Sequence, residues 1–136
     1  MSASDSEVLA ANDAFYAAFA RKDLEAMDDI WSKHAEIACV HPGWDAIRGR
    51  DEVLASFRAI LQSPGAPPIR PSRATATVIG DVAFVVCTES IDDTELVATN
   101  VFVRENGAYR LVLHQAGPIA RASAERTKKT PPRVLN

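Results

Sequence analysis

The chain has 136 residues, 47% of them hydrophobic and 24% charged, which is enough apolar material for one well-formed core. Its net charge of −3 is uneven: residues 121–136 carry five basic side chains against Glu125, a net +4, so the preceding 120 residues stand at −7. An acidic body argues against a nucleic-acid surface, and no apolar run is long enough for a membrane span. The opening MSASDSEVLA lacks the basic start and greasy stretch of a signal peptide, so a cytoplasmic location is the default expectation. Cys39 and Cys87 sit in apolar, strand-like contexts without metal-ligand spacing and read as buried thiols.

Ser4 stands three residues before Glu7 in a capping-box pattern, and Val8, Ala11, Phe15 and Phe19 then recur on one helical stripe. Asn12 and Tyr16 lie beside that stripe, one turn apart. Asp23 caps a second helix with Leu24, Met27, Ile30 and Trp31 on its apolar side, ending near Ser32. AEIACV reads as a short strand that exits into CVHPGW, where His41 is held extended by Pro42. Asp51 opens a third helix in which Val53, Leu54, Phe57, Ile60 and Leu61 keep helical spacing. SPGAPPIRPS, with four of the eight prolines, is a loop or an edge approach.

The remainder is strand. Arg73–Ile79 and Val82–Ser90 flank Gly80-Asp81, while Glu95–Glu105 and Ala108–Gln115 flank Asn106-Gly107, the strongest short hairpin signal. Three helices followed by an antiparallel meander make an α+β fold, with the helices on one face of a curved sheet. On the third long strand, Val97, Thr99, Val101 and Val103 alternate with Ala98, Asn100, Phe102 and Arg104, so both faces carry apolar groups. The face left by the helices is therefore expected to pack against a second copy, giving a homodimer. Residues 1–120 form the domain, and the basic tail 121–136, with its Pro-Pro pair, is expected to be a loosely ordered solvated end.

The succession NDAFYAAFARKDLEAMDDIW, VHPGWDAIRGRDEVLASFRAI and ATNVFVRENGAYRLVLHQAGP resembles the nuclear transport factor 2-like superfamily, and within it the SnoaL-like group of small bacterial proteins, over about residues 5–118. The resemblance implies a cone: a strongly bent sheet wrapped by helices around a pocket, commonly dimeric through the outer sheet face. The superfamily spans ketosteroid isomerases, polyketide cyclases, epoxide hydrolases, dehydratases, a kinase association domain and non-catalytic adaptors, so it speaks to fold more than to function. Against the ketosteroid isomerase pattern, His41-Pro42 falls on its Asp-Pro, Asn100 on its buried acid, and Tyr16 at or next to its tyrosine. A histidine suits general base work at neutral pH, and an amide still donates to an oxyanion.

The implied site has His41 as base with Asn100 and Tyr16 as donors. Trp44, Phe57, Phe102, His114 and Asn12 are its ligand-binding lining, and Trp31 and His34 are structural. Placement of His114 depends on register: a two-residue turn at Asn106-Gly107 sets it opposite Asn100's face, and a three-residue loop brings it to Asn100's side, which the resemblance favours. No metal or other cofactor is expected, since only His34, His41 and His114 are available and no phosphate loop or nucleophile motif occurs. The expected function is binding of a small apolar, ring-containing metabolite, with proton transfer of the isomerase, cyclase or hydratase type; the alternative is a non-catalytic dimeric binding or association module.

Overall fold

The computed structural model describes residues 2–120; the expectation for the tail 121–136 falls outside them. Helix α1 spans Ala3–Ala20, α2 Leu24–Ile30 and α3 Arg50–Gln62. The strands are β1 Ala38–Val40, β2 Ile47–Arg48, β3 Arg70–Ile79, β4 Val82–Ile91, β5 Thr94–Glu105 and β6 Ala108–Pro118. They form one sheet in the order β2-β1-β6-β5-β4-β3, antiparallel throughout except where β1 runs parallel to β6. This is the expected α+β architecture of three helices on a curved sheet. Among the described residues no helix is long and apolar enough to cross a membrane.

Several boundaries differ from expectation for local reasons. The capping box of α1 is formed by Ser2 and Asp5, not Ser4 and Glu7, because the helix starts one turn's fraction earlier. Asp23 caps α2 as expected, its carboxylate accepting from the Ala26 N–H. Helix α3 begins after Gly49, whose φ of +86° few other residues adopt, so Asp51 lies inside the first turn instead of capping it. Two-residue β2 was not expected; it is too short to show a period.

The β5–β6 turn contains two residues, Asn106 and Gly107, both with positive φ. Along β6 the register then slips: Phe102 faces Leu111 while Val101 faces Leu113, leaving Val112 as an extra, bulged residue. A second irregularity interrupts β3–β4 between Ser72 and Thr75. Bulges of this kind bend a sheet, and here they let it curl around α1 and α3.

Inside the curl, Phe15 is the hub of the core, packing edge-to-face on Tyr16, Trp31 and Phe57 with centroids 4.9, 6.5 and 5.8 Å away. Burial of such side chains is worth roughly 2 kcal/mol each, so this cluster fixes where α1 and α3 sit on the sheet. On the other face, Phe84, Val86, Val101 and Leu113 stay half-buried and Val97 exposed, with no helix of the described residues across them.

Candidate functional site

A cavity of about 260 Å³ opens between α1, α3, the segment 66–69 and the concave sheet face. Its walls are mostly apolar, from Phe15, Phe19, Trp44, Phe57, Ile69 and Ile91, and its polar groups are Tyr16, His41, Glu89 and His114. Among the described residues no Lys or Arg side chain lines it. Nor are any three His, Cys, Asp or Glu side chains among them grouped as a metal would require.

His41 leaves β1 where Pro42 and Gly43 turn the chain; Trp44 N–H donates to the His41 carbonyl at 2.9 Å. The ring is buried against Phe57 and Trp44, each with its centroid 4.9 Å away. Its Nε2 lies 2.9 Å from Ser56 Oγ, and that hydroxyl donates its own proton to the Val53 carbonyl at 2.6 Å. A hydroxyl already donating must accept, so His41 carries its proton on Nε2 and keeps the Nδ1 lone pair as its basic site. Burial disfavours the imidazolium and lowers the His41 pKa, leaving a neutral ring at pH 7. Cys39 Sγ sits 3.6 Å from Nε2, its thiol pushed up to about 12 by burial.

A second polar cluster is built by α1, β4, β5 and β6. Tyr16 Oη donates to Glu89 Oε2 at 2.6 Å, and Asn100 Nδ2 donates to Tyr16 Oη at 3.2 Å and to Asn12 Oδ1 at 2.8 Å. With its NH2 so engaged, Asn100 presents Oδ1 to His114 Nδ1 at 2.5 Å, which sets the proton of His114 on Nδ1. Nε2 of His114 faces Glu89 Oε2 at 3.9 Å. Burial, and then the neighbouring His41, push the His114 pKa down to about 3. For Glu89 burial raises the pKa and outweighs the lowering by Tyr16, whose own phenol is strongly raised by burial and by Glu89.

Of the expected site residues, His41, Tyr16, Trp44, Phe57 and His114 stand in the cavity wall. Asn100, Asn12 and Phe102 do not: each is fully buried behind it. Asn100 therefore does not reach a ligand as an oxyanion donor; its amide is used up in positioning Tyr16 and His114. Tyr16 is likewise already donating to Glu89. His114 does share Asn100's side, but through the bulge at Val112 and not through a three-residue loop. Trp31 is buried in the core, and after α2 it is Ser32 Oγ that accepts from the His34 and Ala35 N–H groups, His34 itself being exposed.

Glu89 is the residue sequence reasoning missed. The signal was present: Ala83, Val85, Cys87 and Glu89 alternate on one buried face, and a carboxyl at the fourth position of such a face requires an explanation.

The SnoaL-like domain family matches residues 8–121, and the chain belongs to that family. Among solved structures it is similar to a candidate dehydratase of the NTF2-like family from Streptomyces avermitilis, at 32% identity and TM-score 0.79, over 86% of this chain and 96% of that one. It is also similar to a candidate calcium/calmodulin-dependent protein kinase type II association domain from Thiobacillus denitrificans, at 30% identity and TM-score 0.73, over 82% and 94% of the two chains. A cystatin-like-fold protein from Caulobacter vibrioides, 17% identical with TM-score 0.78 over 89% and 93%, shares the fold. Among curated proteins, the F-box protein SKIP8 of Arabidopsis thaliana is 22% identical over 111 residues, 80% of this chain; the chain spans about half (48%) of that protein's length.

Proposed function

We propose that the cavity binds a small, largely apolar, ring-containing molecule and that His41 moves a proton on it. The observation that carries this reading is the state of His41: a neutral ring, its Nε2 proton pinned by Ser56, its other nitrogen an acceptor with only the Cys39 thiol beside it at 3.9 Å, in the wall of a cavity made mostly of rings. A base of that kind takes a proton from a carbon acid or a water at neutral pH. Tyr16, Glu89 and His114 then form the polar end that orients the ligand relative to His41. Isomerisation, cyclisation and hydration or dehydration all use such a pair of ends, and the likeness to a candidate dehydratase at 32% identity supports the last.

The test needs no known substrate. Ring-bearing ketones, alcohols and epoxides are incubated with the protein in D2O, and loss of a carbon-bound proton is followed by ¹H NMR. Wild type exchanges a proton in at least one compound, and His41→Ala reduces that exchange at least about a hundredfold, the ordinary contribution of general base catalysis. Compounds that stabilise the protein thermally yet show no exchange would overturn catalysis.

That outcome favours the second reading, a non-catalytic dimeric module, which is supported by the 30% identity to a candidate association domain. Under either reading we propose a homodimer through the outer sheet face, where Val97 is 46% exposed beside half-buried Phe84, Val86, Val101 and Leu113. Charged substitution at Val101, followed by sedimentation, tests it: the dimer should dissociate.

A further inference from the structure

Glu89 is 2% exposed, yet its carboxyl receives a single hydrogen bond, from Tyr16 to Oε2. Oε1 accepts none from the described residues. Its strand partners, Pro71 on β3 and Leu96 on β5, are apolar, and the arginines near Pro71, Arg70 and Arg73, are exposed. The titratable groups of the other elements around it are not cations. Tyr16 on α1 and Cys87 on β4 are held protonated by burial. His114 on β6 is neutral at any pH well above 3, and Cys39 and His41 at the end of β1 are a raised thiol and a lowered imidazole. A carboxylate taken out of water without a counter-ion is costly, and here the cavity wall offers it none.

Three kinds of ligand can meet that oxygen. An anion adds a second negative charge to a site without Lys or Arg. A neutral hydroxyl supplies one hydrogen bond and leaves the charge uncompensated. An ammonium supplies both the hydrogen bond and the charge, and the rings of Phe15, Phe19, Trp44 and Phe57 around the cavity favour a cation further.

We infer that the cavity selects a cationic ligand: a protonated primary or secondary amine carried on an apolar ring, with its N–H seated on Glu89 Oε1. This rests on the proposed binding of a ring-containing molecule and specifies its polar group. The ammonium is the counter-ion the protein itself omits, and the ring lies along the aromatic wall toward His41.

Matched probes isolate the polar group: 2-phenylethylamine, 2-phenylethanol and 3-phenylpropionate, and the tryptamine, tryptophol and indole-3-propionate series. Their binding is measured by calorimetry and thermal shift at constant ionic strength. In at least one series the amine binds tighter than the alcohol by about tenfold or more, the carboxylate does not bind, and Glu89→Gln abolishes the amine's advantage over its matched alcohol. Circular dichroism checks that the variant is folded.

Wild type alone supplies an independent readout. The amine's affinity falls as pH is lowered from 8 to 5, because Glu89, its pKa raised, takes up the proton that the ammonium must displace, whereas the alcohol's affinity stays flat. An alcohol or carboxylate binding as well as its amine overturns the inference and leaves the proposed ring-binding function standing. If neither series binds, the inference falls, and the exchange experiment in D2O separately decides whether the proposed function falls with it.

Discussion

The two histidines of the cavity wall are the same ring in the same cavity, both at least nine-tenths buried, and their surroundings give them different chemistry. His41 stands at the end of a three-residue strand, beside a half-exposed tryptophan, with the Ser56 hydroxyl and the Cys39 thiol at its ring. His114 lies in mid-strand between β1 and β5, clasped by Asn100 and pressed on Phe15 at 4.9 Å. Burial lowers both pKa values, but only His114 is driven to about 3, so it is a fixed hydrogen-bonding group and not a titrating one. What separates a base from a structural imidazole here is position along the cone, from the open end to the enclosed one.

Acid titration is the strongest way to break that comparison. The folded pKa of His114 lies below its ordinary 6.5, so its stabilising contribution is complete above pH 6.5 and is lost as pH falls toward 3. The slope for one such group is about 1.4 kcal/mol per pH unit, reaching roughly 5 kcal/mol across the window. Urea denaturation of His114→Gln between pH 4 and 7 should show this limb removed, whereas His41→Gln should remove only a narrower one just below pH 6.5. An unchanged slope in His114→Gln would mean that the folded protein carries the ring charged.

Asn100 sharpens the comparison from the partner's side. Asn100→Leu preserves much of the volume but leaves Asn12 Oδ1 and the His114 Nδ1–H without partners, at about 3 kcal/mol in total. Chemical denaturation at pH 7 measures it, and Ser56→Ala, which frees His41 in the more open wall, should cost about 1 kcal/mol.

Glu89 has the opposite sign. Its folded pKa is raised above 4.5, so its contribution is present below that value and lost as pH rises through the raised one. Glu89→Gln should therefore stabilise the ligand-free protein at pH 8, by about 1 kcal/mol, and lose that advantage near pH 4.5. The smallest effect is expected at Trp44, 50% exposed: Trp44→Ala should change stability by less than about 0.5 kcal/mol while weakening retention of any ring-bearing ligand.

Much of the fold was legible because it is written in periods. Helical spacing placed α1 and α3, alternation placed β3 to β6, and Asn106-Gly107 marked its hairpin. The site was legible only where a side chain's direction follows from such a period or from the superfamily resemblance. The resemblance singles out Asn100, but whether it meets the cavity or stands one layer behind depends on where Asn12 and Tyr16 arrive from α1, 84 to 88 positions away in the chain. Glu89 is hidden among the apolar members of an alternating strand, where period alone does not distinguish a buried carboxyl from its neighbours.

The extra residue at Val112 carries a consequence for how such a wall can change over generations. Side chains before it on β6 keep the alternation set at the turn, and those after it are offset by one, which is what turns His114 inward and Leu113 outward. Losing one codon there would regularise the strand and leave both pairings as they are, Leu113 opposite Val101 and His114 opposite Asn100, because the bulged residue is the one the pairing leaves out. The imidazole thus stays in the wall through such a deletion, and what is lost is the local bend of the sheet.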